Sequence, residues 1–138
     1  MDGESRNGFV GLVLVSHSAA IADGLAQLVA QVAGPSVPIV AAGGGPEGTF
    51  GTDGGRVLAA LRQAGQSAGA VILMDLGSSV LSVRAALGEL PGETVALLRI
   101  ADAPLVEGAI AAGVTASTGG SIDEVLAAAE EARKVAKL

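Results

Sequence analysis

His17 is the sole histidine among 138 residues. It stands in Ser16-His17-Ser18, directly after an apolar run from Phe9 to Val15, and a helical pattern opens behind it at Ala19. A buried strand that stops in a short polar turn before a helix puts its last side chains on the carboxyl edge of a sheet. Open α/β sheets bind ligands at that edge, and helix N-termini there attract phosphate. Imidazole can be uncharged and nucleophilic near neutral pH. At this position it suits phosphoryl capture; the plainer alternative is a core or surface histidine. Asp75 closes a second apolar run, Ala70 to Met74. A carboxylate on the far ring N–H would hold one tautomer and stabilise charge developing on the ring, as in a hydrolytic triad. Helix capping or a solvated turn is the alternative role for Asp75. Around the pair, Ser16, Ser18, Ala19, Gly77, Ser78 and Ser79 offer hydroxyls and backbone N–H groups for phosphate oxygens.

Other chemistries fit poorly. The absence of cysteine removes disulfides, thiolate catalysis and Cys-ligated zinc, and a lone histidine removes His–His metal motifs. No metal or cofactor is expected. Gly43-x-Gly45-x-x-Gly48 has the letters of a dinucleotide fingerprint, but Pro46-Glu47 interrupts it and no helix opens within it. It is expected to be a mobile glycine loop. Gly65-x-Ser67-x-Gly69 joins helix to strand, the reverse of a nucleophile elbow. Ser16 and His17 are neighbours and would project differently, which disfavours a Ser16–His17–Asp75 hydrolase. The only lysines are Lys134 and Lys137, so an ATP kinase lacks its usual cation near the phosphates. A net charge of −6 and two aromatic residues, Phe9 and Phe50, argue against nucleic acid.

These groups must be carried by a core of Ala, Val, Leu and Ile, packed closely with the help of 21 glycines. A chain of this length buries roughly two-thirds of its unfolded surface on folding. Strands are expected over 9–15, 37–42, 70–74 and 94–98. The first helix should carry Ile21, Leu25, Leu28, Val29 and Val32 and stop at Gly34-Pro35. A second is capped by Thr52 or Asp53, and a third follows the turn Gly77-Ser78-Ser79. Two more come after Ala103-Pro104, the last opened by a Ser121/Glu124 capping box. Apolar strands alternating with helices indicate an α/β fold: a mostly parallel open sheet of four to five strands with helices on both faces. Residues 1–7 are expected to be a flexible N-terminus and 8–138 a single domain. The charge-free stretch 24–46 is broken by Pro35, Pro38 and Gly43-Gly44-Gly45, and the N-terminus lacks the basic start of a secretory signal. A soluble, cytoplasmic protein is the expectation. A mean hydropathy of +0.58 in so small a chain suggests apolar surface hidden in an interface.

Taken together, Leu12-Val13-Leu14-Val15-Ser16-His17-Ser18, Gly51-Thr52-Asp53, Met74-Asp75-Leu76-Gly77-Ser78-Ser79 and Ala103-Pro104-Leu105-Val106-Glu107-Gly108-Ala109 give the chain a family likeness. It resembles the phosphotransfer subunits of phosphoenolpyruvate-dependent dihydroxyacetone kinases, within the mannose-type IIA domains of the sugar phosphotransferase system. The likeness runs from about Gly8 to Ala132. It implies the mannose-type IIA fold, usually as a homodimer, with His17 phosphorylated on Nε2 and Asp75 beside it. Gly51, Thr52 and Asp53 match a loop to which a site-shaping role is assigned.

By the same resemblance, His17 receives phosphate from the phosphocarrier protein HPr, ultimately from phosphoenolpyruvate. It passes the group to ADP held in the DhaL subunit, and DhaK–DhaL then phosphorylates dihydroxyacetone. The donor is expected to be a separate protein. Mannose-type IIA domains usually continue from the aspartate into a Gly-Gly-Ser/Thr-Pro type turn; Gly77-Ser78-Ser79 here favours the dihydroxyacetone branch. A IIA component serving a mannose-type sugar permease is the first alternative. A non-catalytic module that binds an anion or nucleotide is the second.

Overall fold

The computed structural model describes residues 8–66 and 68–138. The expected flexible N-terminus (residues 1–7) and Ser67 lie outside them. β1 (Gly11–Ser16) is buried along its whole length, as an unbroken Leu/Val run covered on both faces must be. After two residues α1 (Ala19–Ala33) begins, with the Ser18 hydroxyl accepting the Ile21 N–H at its N-cap and Gly34 ending it. β2 (Ile39–Gly43) is followed by a 3₁₀ turn, Pro46–Gly48, and by α2 (Gly54–Ala64). β3 (Ala70–Met74) leads into α3 (Gly77–Leu87), a single-turn α4 (Gly92–Val95) and β4 (Leu98–Ile100). α5 (Leu105–Ser117) and α6 (Ile122–Glu131) close the described fold, α6 with the expected reciprocal Ser121/Glu124 cap.

The four strands are parallel, in the order β2-β1-β3-β4. Alternate side chains of the two central strands leave on opposite faces, and each face has its own core. Leu12, Leu14, Val71 and Leu73 meet Leu25 and Val29 of α1, Ala109 and Ala112 of α5, and Val125 of α6. Val13, Val15, Ile72 and Met74 meet Val57 and Leu61 of α2 and Val83 of α3. With almost no aromatic bulk available, close approach replaces side-chain volume. A Cβ on Gly43 would stand 2.6 Å from the Ser18 carbonyl oxygen and 2.7 Å from Ala22 Cβ, so only glycine lets α1 lie this close to β2.

Two expectations need revision. Thr94 and Val95 belong to the turn of α4, and the last strand is 98–100. Pro91 supplies an extended N-cap and Glu93 suits a first turn, which outweighs the β preference of Thr94 and Val95. The glycine loop is fastened: Gly45 N–H donates to the Thr49 carbonyl, Gly51 N–H to the His17 carbonyl and Asp53 N–H to the Gly44 carbonyl. α1 carries Ile21, Leu25, Leu28, Val29 and Val32 as expected; Ile21, Leu28 and Val32 are about half exposed, while Ala22, Leu25, Val29 and Ala33 face inward.

Candidate active site

Strand order decides where chemistry can collect. The chain leaves β1 toward β2 on one side, and β3 lies on the other, so the crevice between the carboxyl ends of β1 and β3 is the switch point of the sheet. Register does the rest. Val15 pairs with Met74, which sets Ser16 beside Asp75 and His17 one residue above, 58 positions away in sequence.

Asp75 organises the site. Its Oδ1 accepts from Leu76 N–H at 2.7 Å, from the Ser79 hydroxyl at 2.7 Å and from His17 Nδ1 at 3.0 Å. Its Oδ2 accepts from the His17 backbone N–H and from the Ser16 hydroxyl, each at 2.9 Å. Partial burial acts to raise the carboxyl's pKa. It is outweighed by the His17 N–H, the Ser79 hydroxyl, the His17 ring and the Leu76 N–H, which hold the group well below the ordinary carboxylate range. An ionised Asp75 can only accept, so Nδ1 carries a proton and, in the neutral ring, the lone pair of His17 lies on Nε2. That nitrogen is 2.7 Å from the Ser78 hydroxyl, which donates to it.

The hydroxyls expected to hold phosphate divide into two groups. Ser16 and Ser79 are fully buried and are engaged on the Asp75 carboxylate; Ser16 Oγ also accepts the Ser18 N–H at 3.1 Å. Ser78 is the hydroxyl at Nε2 of His17. Ser18 is the N-cap of α1, with Ala19 as that helix's first residue, and Gly77 is the first residue of α3, so both helices begin at this edge. Of the loop residues, Gly51 fastens the His17 carbonyl at 2.8 Å, and Thr52 Oγ1 lies 2.5 Å from Ser82 Oγ on α3. Asp53 is the N-cap residue of α2, without a side-chain cap bond, and stands 3.8 Å from Arg56 Nε. Sequence reasoning passed over Phe50 and Leu76, which are 84% and 60% exposed and adjoin Gly51 and Asp75. The signal was available, since Phe50 is one of only two aromatic residues and sits in a loop of small and polar ones. Among the described residues no cluster of His, Asp and Glu is arranged to hold a metal, and no helix is long and apolar enough to cross a membrane.

Comparison with known proteins agrees with this architecture. Residues 11–126 match the family described as the PTS system fructose IIA component. The chain is 41% identical over 126 residues to the phosphoryl donor subunit DhaM of the PEP-dependent dihydroxyacetone kinase of Providencia stuartii, covering 89% of this chain and 26% of that one. It is 35% identical over 117 residues to the DhaM subunit of PEP-dependent dihydroxyacetone kinase 2 of Listeria innocua, covering 85% of this chain and 94% of that one. A crystal structure of the unknown-function protein EF1359 superimposes with a TM-score of 0.79 at 32% identity, covering 88% of this chain and 93% of that one. The chain thus spans about a quarter of the length of several curated relatives and nearly all of others. The matched span contains the whole sheet and the His17–Asp75 pair at its rim, and the chain belongs to the family of PTS fructose IIA components.

Proposed function

We propose that this chain is a phosphoryl relay of a dihydroxyacetone kinase, with His17 as the carrier. The observation that carries the proposal is the pair of contacts on the His17 ring: ionised Asp75 accepts a hydrogen bond from Nδ1, and Nε2 is left as the nucleophile beside the Ser78 hydroxyl. HPr, charged from phosphoenolpyruvate, is the proposed donor. The Nε2 lone pair forms a bond to phosphorus while the donor's own bond to phosphorus breaks and its electron pair stays with the donor. Positive charge growing on the ring is met by Asp75. Ser78 rotates from Nε2 to a phosphoryl oxygen, joined by N–H groups at the starts of α1 and α3. In the second half, an oxygen of ADP bound in DhaL attacks phosphorus, the N–P bond breaks and imidazole leaves neutral. DhaK–DhaL then uses the ATP to phosphorylate dihydroxyacetone.

Such a relay needs few special residues, because phosphoryl transfer is mostly positioning and electrostatics. It does need a surface for proteins, and exposed Phe50 and Leu76 flank the site as apolar contact points. We further propose that residues 8–138 act as one domain in the cytoplasm, as a homodimer. The half-exposed Ile21, Leu28 and Val32 of α1 form the surface on which we place the dimer contact.

Incubation with phosphoenolpyruvate, enzyme I and HPr should add one acid-labile, base-stable phosphoryl group, mapped by mass spectrometry to His17. His17→Ala should remain unlabelled, and labelling of that variant would end the proposal. The family description favours one second reading, a IIA component that hands phosphate to a sugar permease. Phosphate passing to DhaK–DhaL with dihydroxyacetone excludes it; phosphate retained there but discharged by permease components supports it. The contacts Ser78–His17–Asp75 also have the order of a hydrolytic triad. Reaction of Ser78 with a fluorophosphonate, without phosphorylation of His17, would point to acyl chemistry instead.

A further inference from the structure

We propose that Ser79 is a positioning residue that shares the charge of Asp75 with the His17 ring and so keeps a phosphoryl group on Nε2 easy to pass on. The proposal rests on the phosphohistidine reading above. Ser79 lies in the first turn of α3 and is fully buried. Along the same helix face, Val83 and Ala86 are apolar core residues, so periodicity alone asks for a small apolar side chain at 79. A hydroxyl buried there is costly unless it is bonded. It does not cap the helix, because the Ser79 N–H is already donated to the Leu76 carbonyl and the side chain turns away to Asp75.

That contact competes with the ring. Asp75 Oδ1 has three donors on it, and a carboxylate oxygen offers two lone pairs. The backbone N–H of Leu76 and the Ser79 hydroxyl are both at 2.7 Å, while Nδ1 is at 3.0 Å and 3.2 Å from Ser79 Oγ itself. The imidazole therefore has the longest of the three bonds. Asp75 is the charged side chain bonded to the ring, and Ser78 and Ser79 complete its contacts. In the fastened loop, Asp53 faces Arg56, and Arg56 donates to the Gly43 carbonyl.

Transfer off His17 breaks the N–P bond and returns its electron pair to Nε2, turning a positively polarised ring into neutral imidazole. Full use of Asp75 by the ring would stabilise the phosphorylated state and slow that step. Ser79 draws off part of the carboxylate's charge and lowers this stabilisation.

Ser79→Ala tests the idea without leaving a buried group unpaired, because Asp75 keeps four donors. The single histidine gives an unambiguous proton resonance. In the unphosphorylated variant its titration midpoint should rise by roughly half to one unit, equivalent to about 3- to 10-fold tighter proton binding. Protein phosphorylated chemically with phosphoramidate should lose its phosphohistidine signal in phosphorus NMR roughly 3- to 10-fold more slowly than wild type. Ser79→Cys, a weak donor, should fall between. A midpoint that stays put or falls in Ser79→Ala overturns charge sharing, whatever the relay assay shows. A raised midpoint with wild-type protein that HPr fails to label overturns the relay and leaves the charge sharing standing.

Discussion

Asparagine at position 75 keeps the shape of the side chain and removes its charge, and the surrounding donors determine how the amide must sit. Three donors face the Oδ1 position: Leu76 N–H, the Ser79 hydroxyl and His17 Nδ1. Two face Oδ2: the Ser16 hydroxyl and the His17 backbone N–H. The amide oxygen takes the three-donor side. Its NH₂ then meets Ser16, which can rotate to accept, and the His17 N–H, which cannot. The Nδ1–H tautomer survives, so the loss is of charge, not of orientation. A pair of unit charges about 4 Å apart is worth ~4 kcal/mol at an effective dielectric of 20. The His17 side chain is 25% exposed and that of Asp75 16%, and the ring is only partly charged in the transition state. Those facts reduce the expected penalty to about 1–3 kcal/mol, or roughly 5- to 150-fold in rate. Rapid-quench transfer of labelled phosphate from phospho-HPr to Asp75→Asn measures it. A rate within twofold of wild type, with the circular dichroism spectrum unchanged, would remove Asp75 from the mechanism. A fall of about 10⁴, the scale of a lost tautomer in a hydrolytic triad, would refute the amide placement.

The same substitution makes a prediction about acid stability. The folded-state pKa of Asp75 is depressed, so the unfolded chain binds this proton more readily than the native one. The resulting stabilisation is complete above the unfolded value of about 4 and is lost as pH falls toward the lower folded value. Urea midpoints should therefore show wild type ahead of Asp75→Asn at pH 7, with the gap narrowing steadily below pH ~4; a gap independent of pH would contradict this. Gly43→Ala should cost about 1–3 kcal/mol in urea unfolding, because the added methyl would lie 2.6 Å from the Ser18 carbonyl oxygen and 2.7 Å from Ala22 Cβ; an unchanged midpoint would mean α1 shifts without strain. Ser121→Ala removes the reciprocal cap of α6 and should cost about 1 kcal/mol by the same assay, with phosphotransfer unaffected.

Much of the frame could be read along the chain. Leu12 to Val15 and Ala70 to Met74 are apolar at every position, which only a strand covered on both faces tolerates. Ser18, Ser121 with Glu124, and Gly34 mark helix ends by local hydrogen bonding that needs no distant partner. His17 and Asp75 were recognisable because each ends such a run. Where local preferences conflicted, the one-dimensional view failed: Thr94 and Val95 look like strand until Pro91 and Glu93 are weighed as a helix start. Tertiary structure alone decided the division of labour among the serines. Ser16, Ser78 and Ser79 carry the same hydroxyl, yet two are buried on a carboxylate and one meets Nε2. The β1–β3 register, in which Val15 lies against Met74, brings Ser16 and His17 to Asp75, while one step along α3 buries Ser79 on the carboxylate and leaves Ser78 at the ring. A shift of one residue would turn every side chain of the strand to the other face, so the register could not be inferred from Ser16 or Ser79 in isolation. The glycine loop is similar. Its composition suggests freedom, while contacts with the His17 carbonyl and with α3 hold it in place. Strand and helix identity are largely local properties of sequence; the partner of the Ser16 hydroxyl depends on which distant strand lies beside it.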